Sequence, residues 1–139
     1  MVPIYAQEHD YSKYSVLAVD DIPLNLLLVQ KMLSRFNFKL RTARGGQEAL
    51  DAVAQEKPDL ILLDLMMPGI DGFEVIRRLR DDPVTSDIQI VILSALNSNE
   101  DVVKGFNVGA NDFIMKPIIM EKLLSCVVTQ MSIIENKKR

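Results

Sequence analysis

The sequence predicts an α/β fold, a doubly wound sandwich around one five-stranded parallel sheet. Three observations carry this prediction. Short apolar runs alternate five times with amphipathic stretches along the 139 residues. The third and fourth runs, within 59–64 and 88–95, are almost continuously aliphatic, as strands are when helices cover both sheet faces. No internal repeat or low-complexity tract breaks the alternation.

Residues 1–13 (MVPIYAQEHDYSK) show no period and are expected to form a flexible arm. SVLAVD (15–20) reads as the first strand and PLNLLLVQKMLSRF (23–36) as the first helix. Pro23 suits a first helical turn, where its missing N–H would have no helical partner. Leu26, Leu27, Met32 and Leu33 are expected on one broad buried face. KLRTA (39–43) is the second strand, and GGQEALDAVAQEK (45–57) leads into and forms the second helix. DLILLD (59–64) is the third strand, and DGFEVIRRLRDD (71–82) a helix stopped by Pro83. IQIVILSA (88–95) is the fourth strand. NEDVVKGFNVG (99–109) is a helix that Gly109 is placed to end in the left-handed conformation. DFIMK (112–116) is the fifth strand, and MEKLLSCVVTQMSII (120–134) the last helix. The folded domain is therefore expected over 14–134, with 135–139 a basic tail or the start of a linker.

Composition removes several function classes. With 16 Lys and Arg against 19 Asp and Glu, the net charge of −3 argues against direct nucleic-acid binding. The single Cys126 cannot form an internal disulfide, which fits a cytoplasmic location. No apolar run reaches the roughly 18 residues that span a bilayer, and no basic segment followed by an apolar core marks a signal peptide. His9 and Cys126 are the only residues of their kinds, too few for a zinc set.

Right-handed crossovers put the C-terminal ends of all parallel strands on one rim, where open α/β sheets bind their ligands. That makes the strand-end residues the informative ones: Asp20 and Asp21, Asp64, Ser94, and Lys116 followed by Pro117. Each has an ordinary reading alone, as a helix cap, a turn former or a solvated lysine. Gathered together, three carboxylates would repel one another unless a cation compensates. A hard divalent ion with oxygen ligands, Mg²⁺ before others, resolves that conflict. With Lys116 as a fixed charge and Ser94 as a hydroxyl donor, the set describes a pocket for a transferred phosphoryl group. Asp64 is then the candidate nucleophile.

In these residues the sequence resembles the receiver domain of two-component response regulators, over roughly 14–131. VLAVDD matches the acidic pair, DLILLDLMMPGIDG the phosphoacceptor segment, VILSA the strand ending in a hydroxyl residue, and GANDFIMKP the Lys-Pro segment. The resemblance implies the flavodoxin-like strand order 2-1-3-4-5. It implies that Asp64 accepts a phosphoryl group from a histidine kinase or histidine phosphotransfer protein. Asp21 would be the main acidic metal ligand beside Asp64, with Asp20 acting through a metal-bound water. The Met66 backbone carbonyl would complete the protein ligands to Mg²⁺, for which Mn²⁺ can substitute. Lys116 would contact the phosphoryl oxygens, with a cis bond to Pro117. Phe113 would rotate inward as Ser94 moves toward the phosphate. The surface changed would be the fourth helix, fifth strand and last helix, facing a downstream protein or output domain. The apolar excess of the last helix also suggests docking of a second copy. Met66 and Leu96 are apolar where some relatives orient water, so self-dephosphorylation is expected to be slow.

Other functions fit less well. A phosphatase of the haloacid-dehalogenase type also forms an aspartyl phosphate, but it wants a second acid two residues on, where Met66 stands. A flavodoxin-like cofactor binder wants a phosphate loop after the first strand, where Asp20 and Asp21 would repel the ligand. The expected role is a signalling module that catalyses only its own phosphorylation and dephosphorylation.

Overall fold

A computed structural model describes Pro3 and residues 9–96 and 98–138. Five parallel strands lie in the order β2-β1-β3-β4-β5. They are β1 (Ser15–Val19), β2 (Lys39–Ala43), β3 (Leu60–Leu63), β4 (Gln89–Ser94) and β5 (Asp112–Met115). The helices are α1 (Pro23–Leu33), α2 (Gly46–Gln55), α3 (Gly72–Asp81), α4 (Asn99–Val108) and α5 (Met120–Lys137).

The two-residue period of a strand sorts the core into two layers. Val16, Ala18, Leu60, Leu62, Val91 and Leu93 face α1 and α5. Leu17, Val19, Ile61, Leu63, Ile90 and Ile92 face the helices α2 and α3. Both faces of β1, β3 and β4 are buried, which is why their sequences do not alternate.

Several elements differ from the sequence expectation. The first helix gives way after Leu33 to a 3-10 turn over Ser34–Phe36, closed by Asn37 in the left-handed conformation (φ 62°). Asn tolerates that region better than other side chains with a Cβ. On α1 the buried residues are Leu26, Val29 and Leu33, whereas Leu27 is exposed beside Leu24 and Leu28. Apolar residues surround this helix, so spacing alone did not choose the face. Part of the expected arm belongs to the core: Tyr11 is buried, its N–H donates to the Phe36 carbonyl, and its ring stacks on Phe38. Residues 1, 2 and 4–8 of that arm lie outside the described residues.

At the other terminus α5 continues to Lys137, through residues expected to be tail. Lys137 Nζ donates to Gln89 Oε1 at 2.7 Å, and Lys138 Nζ pairs with Asp59 Oδ1 at 2.7 Å. The apolar excess of α5 turns mostly inward: Leu123, Leu124, Val127, Val128, Met131 and Ile134 are buried. Its flank carries Cys126, whose thiol contacts Asp112 Oδ2 at 3.3 Å. Burial and that carboxylate push the thiol up to about 12, so it stays protonated and unreactive near neutral pH. Among the described residues no helix is long and apolar enough to cross a membrane.

Candidate functional site

The strands stop one residue before the charged positions, yet the sheet still fixes those positions. The Asp20 N–H donates to the Ala43 carbonyl, the Asp64 N–H to Val19, and the Lys116 N–H to Ser94. Each site backbone is thus held by one more rung beyond the strand end, while its side chain is released to the rim.

Because β1 lies between β2 and β3, the acids meet. One carboxylate oxygen from each of Asp20, Asp21 and Asp64 falls within 4.8 Å of the others. Asp20 and Asp64 are buried and Asp21 is half-buried. Lys116 arrives from the far edge strand, its ammonium 2.7 Å from Asp20 Oδ2 and 3.7 Å from Asp64 Oδ2. The ammonium is therefore seated on Asp20 and only near Asp64. The Lys116–Pro117 peptide bond is cis.

Asp20 carries two jobs. Its Oδ1 accepts the Ile22 N–H at 2.9 Å, shaping the turn into α1, and its Oδ2 accepts from Asn25 Nδ2 at 3.1 Å as well as from Lys116. Asp64 is less well provided, with one long bond from the Met66 N–H at 3.4 Å. Burial raises the Asp64 pKa above the ordinary carboxylate value. Lys116 opposes that shift, as does the Met66 N–H, while Asp20 and Asp21 add to it. A carboxylate so placed gains from any added cation.

The turn after β3 is set by close packing. The Gly72 N–H donates to the Leu65 carbonyl, closing the loop back onto the strand. A Cβ on Gly72 would lie 2.6 Å from the Asp64 carbonyl oxygen and 2.7 Å from Leu65 Cα. Asp71 then caps α3, accepting the Glu74 N–H at 2.9 Å. Met66 is exposed, and with Leu96, Leu65, Met67 and Phe73 it lines an apolar hollow beside Asp64.

The remaining candidates stand nearby without touching the acids. Ser94 is fully buried, and its hydroxyl accepts the Leu96 N–H at 3.2 Å. Phe113 is half-buried on the α3–α4 side, its ring against Gly105, where a Cβ would meet ring carbons at 3.2 and 3.4 Å. Two neighbours were not foreseen from sequence, Asn25 and Gly105. The signal for Asn25 was a weak helix former in the first turn of a leucine-rich helix, five residues beyond an acid.

Residues 16–128 match the response regulator receiver domain. The chain belongs to that family. It is 46% identical over 103 residues to the response regulator PleD of Caulobacter vibrioides, covering 74% of this chain and 23% of PleD. It is 35% identical over 112 residues to protein PilH of Pseudomonas aeruginosa, covering 81% of this chain and 93% of PilH. The crystal structure of the chemotaxis protein CheY4 of Vibrio cholerae superposes with a TM-score of 0.78 at 31% identity, over 84% of this chain and 97% of that one. The chain thus spans about a quarter of PleD and nearly all of PilH. As a response regulator receiver domain it is a two-component signalling module, with the strand order of that fold.

Proposed function

We propose that this receiver domain is the phosphoacceptor of a phosphorelay, with Asp64 taking the phosphoryl group from a histidine kinase or histidine phosphotransfer protein. The observation that carries this reading is the convergence of three carboxylates and one ammonium from four distant segments. An all-oxygen donor set of that charge fits a hard divalent cation, Mg²⁺ or Mn²⁺. Asp21, Asp64 and the Met66 carbonyl would hold it, with Asp20 acting through water. When bound, such an ion offsets the repulsion among the acids and polarises phosphoryl oxygens.

Asp64 supplies the nucleophile. One carboxylate oxygen forms a bond to phosphorus as the P–N bond to the donor imidazole breaks, and the electron pair stays on the imidazole nitrogen. Lys116 moves from Asp20 to a phosphoryl oxygen, and the Ser94 hydroxyl donates to another. Phe113 turns into the space that Ser94 leaves. The aspartyl phosphate brings about −2 charge to a rim already rich in acid.

Two apolar surfaces support partner docking. A cleft of about 480 Å³ beside Lys116 is lined by Leu28, Val29, Met32, Pro117 and Ile118, and suits the phosphodonor. Val103, Phe106, Met115, Ile119 and Met120 are exposed on α4, β5 and the start of α5. That face suits a downstream protein, an output domain or a second copy, and the setting is the cytoplasm. No direct binding to nucleic acid or membrane is proposed.

Acetyl phosphate tests the reading. In Mg²⁺ the intact chain should gain one phosphoryl mass, lost on chelation and absent in Asp64→Asn. Labelling at another residue, or labelling indifferent to chelation, overturns it.

A further inference from the structure

The Asp20 carboxylate is buried and fully engaged: Oδ1 by the Ile22 N–H, Oδ2 by both Asn25 and Lys116. The bond to Asn25 has one sense only. An ionised carboxylate can only accept, so the amide nitrogen must face it. Asn25 costs α1 something, since Asn is a weaker helix former than the leucines around it, and with Lys116 it is one of two polar residues in the wall of a mostly apolar cleft.

Lys116 must leave Asp20 if its ammonium is to reach a phosphoryl group on Asp64, from which it now stands 3.7 Å away. Without Asn25, departure of the ammonium would strip Oδ2 of its remaining protein donor. A buried carboxylate oxygen left unbonded is expensive, so the ammonium would stay where it is. A neutral amide solves this where a second cation would not, because it adds no positive charge beside a metal site.

We propose that Asn25 is a positioning residue of the phosphoacceptor site. Its amide keeps Asp20 oriented toward the metal and lets Lys116 pass from Asp20 to the phosphoryl group. This rests on the metal-assisted reading given above.

Mn²⁺ binding, followed by electron paramagnetic resonance of the unbound ion, tests it in four chains: wild type, Asn25→Leu, Lys116→Met and the double variant. Asn25→Leu should weaken Mn²⁺ less than about twofold while Lys116 still donates to Oδ2. The same change in the Lys116→Met background should weaken Mn²⁺ on the order of tenfold, because Asp20 Oδ2 then loses the donors that hold it toward the metal. Asn25→Ala should repeat the pattern, which separates loss of the amide from the bulk of leucine. Equal losses in both backgrounds would mean an ordinary structural role and overturn the inference, as would no loss in either. A wild-type chain that binds no Mn²⁺ overturns the metal-centre reading itself.

Discussion

Asp64 sits where a carboxylate is least comfortable. It is 5% exposed, near two other acids, and its nearest ammonium is committed to Asp20. Its raised pKa records a folded state that holds a proton on this group more tightly than the unfolded chain does. The ionised group therefore costs stability, fully once pH exceeds its folded pKa. That cost fades as pH falls through the folded pKa and is gone below the ordinary value of 3.8. In chelator-containing buffer, Asp64→Asn should thus raise the thermal midpoint by a few degrees at pH 7. The gain should shrink as the solution is acidified and vanish below pH 3.8. Thermal unfolding of both chains across that range checks the prediction. A variant no more stable at neutral pH, or a gain that survives acid, would count against it. Asp20, Asp21, Asp64 and Lys116 were legible because each stands just past a strand end, and strand ends in a parallel sheet share one rim. Asn25 was not, because its meeting with Asp20 depends on how α1 is rotated over the sheet.

The last helix shows where element-level reading runs out. Its start and apolar content were plain in the sequence, but its last turn, which runs on to Lys137, and its partners at the base of the sheet were not. Gln130 is buried on α5 and Gln89 is buried at the start of β4. Gln89 Nε2 donates to Gln130 Oε1 at 2.6 Å, and Gln89 Oε1 accepts from Lys137 one helix region further on. Glutamine at either position reads as a surface residue until the tertiary fold joins them. The chain of amides extends α5 past its apolar stripe and ties the helix to β4. Gln130→Leu would fill the space yet leave the Gln89 amide without its acceptor. A buried donor so orphaned costs about 1–3 kcal/mol. Urea unfolding should show a lower midpoint with an unchanged slope. The double change Gln89→Leu with Gln130→Leu should recover part of the loss, since no buried amide is then unpaired. An undiminished midpoint for Gln130→Leu alone would mean that the pair does not hold the helix.

Across the molecule, the parallel sheet and its two-layer core follow from the alternation of apolar runs and amphipathic stretches, and the strand order from the resemblance to receiver domains, while the site's precision comes from packing that patterns do not record. The loop between β3 and α3 is the place where the two meet. Helix α3 buries Val75, Ile76 and Leu79 against the sheet, and its first residue, Gly72, lies against the backbone of Asp64 and Leu65. Leu65 Cδ2, 2.9 Å away, could give, but the two nearest atoms, a carbonyl oxygen and a Cα, belong to the backbone. Gly72→Ala must therefore move the end of β3 or lift α3 from the core. Overpacking of this kind costs about 1–3 kcal/mol. The same displacement would shift the Asp64 carboxylate from its neighbours, and a misplacement near 1 Å can slow a reaction on the order of a hundredfold. Stability and phosphorylation should accordingly fall together in Gly72→Ala. Gly45→Ala serves as the comparison, because a Cβ there meets nothing within 4 Å. That variant should be phosphorylated by acetyl phosphate at the wild-type rate. Mass spectrometry of phosphoryl uptake, paired with urea unfolding of both variants, gives the two readouts. A Gly72→Ala chain that loses stability but keeps its rate would show that the core and the Asp64 carboxylate can move independently.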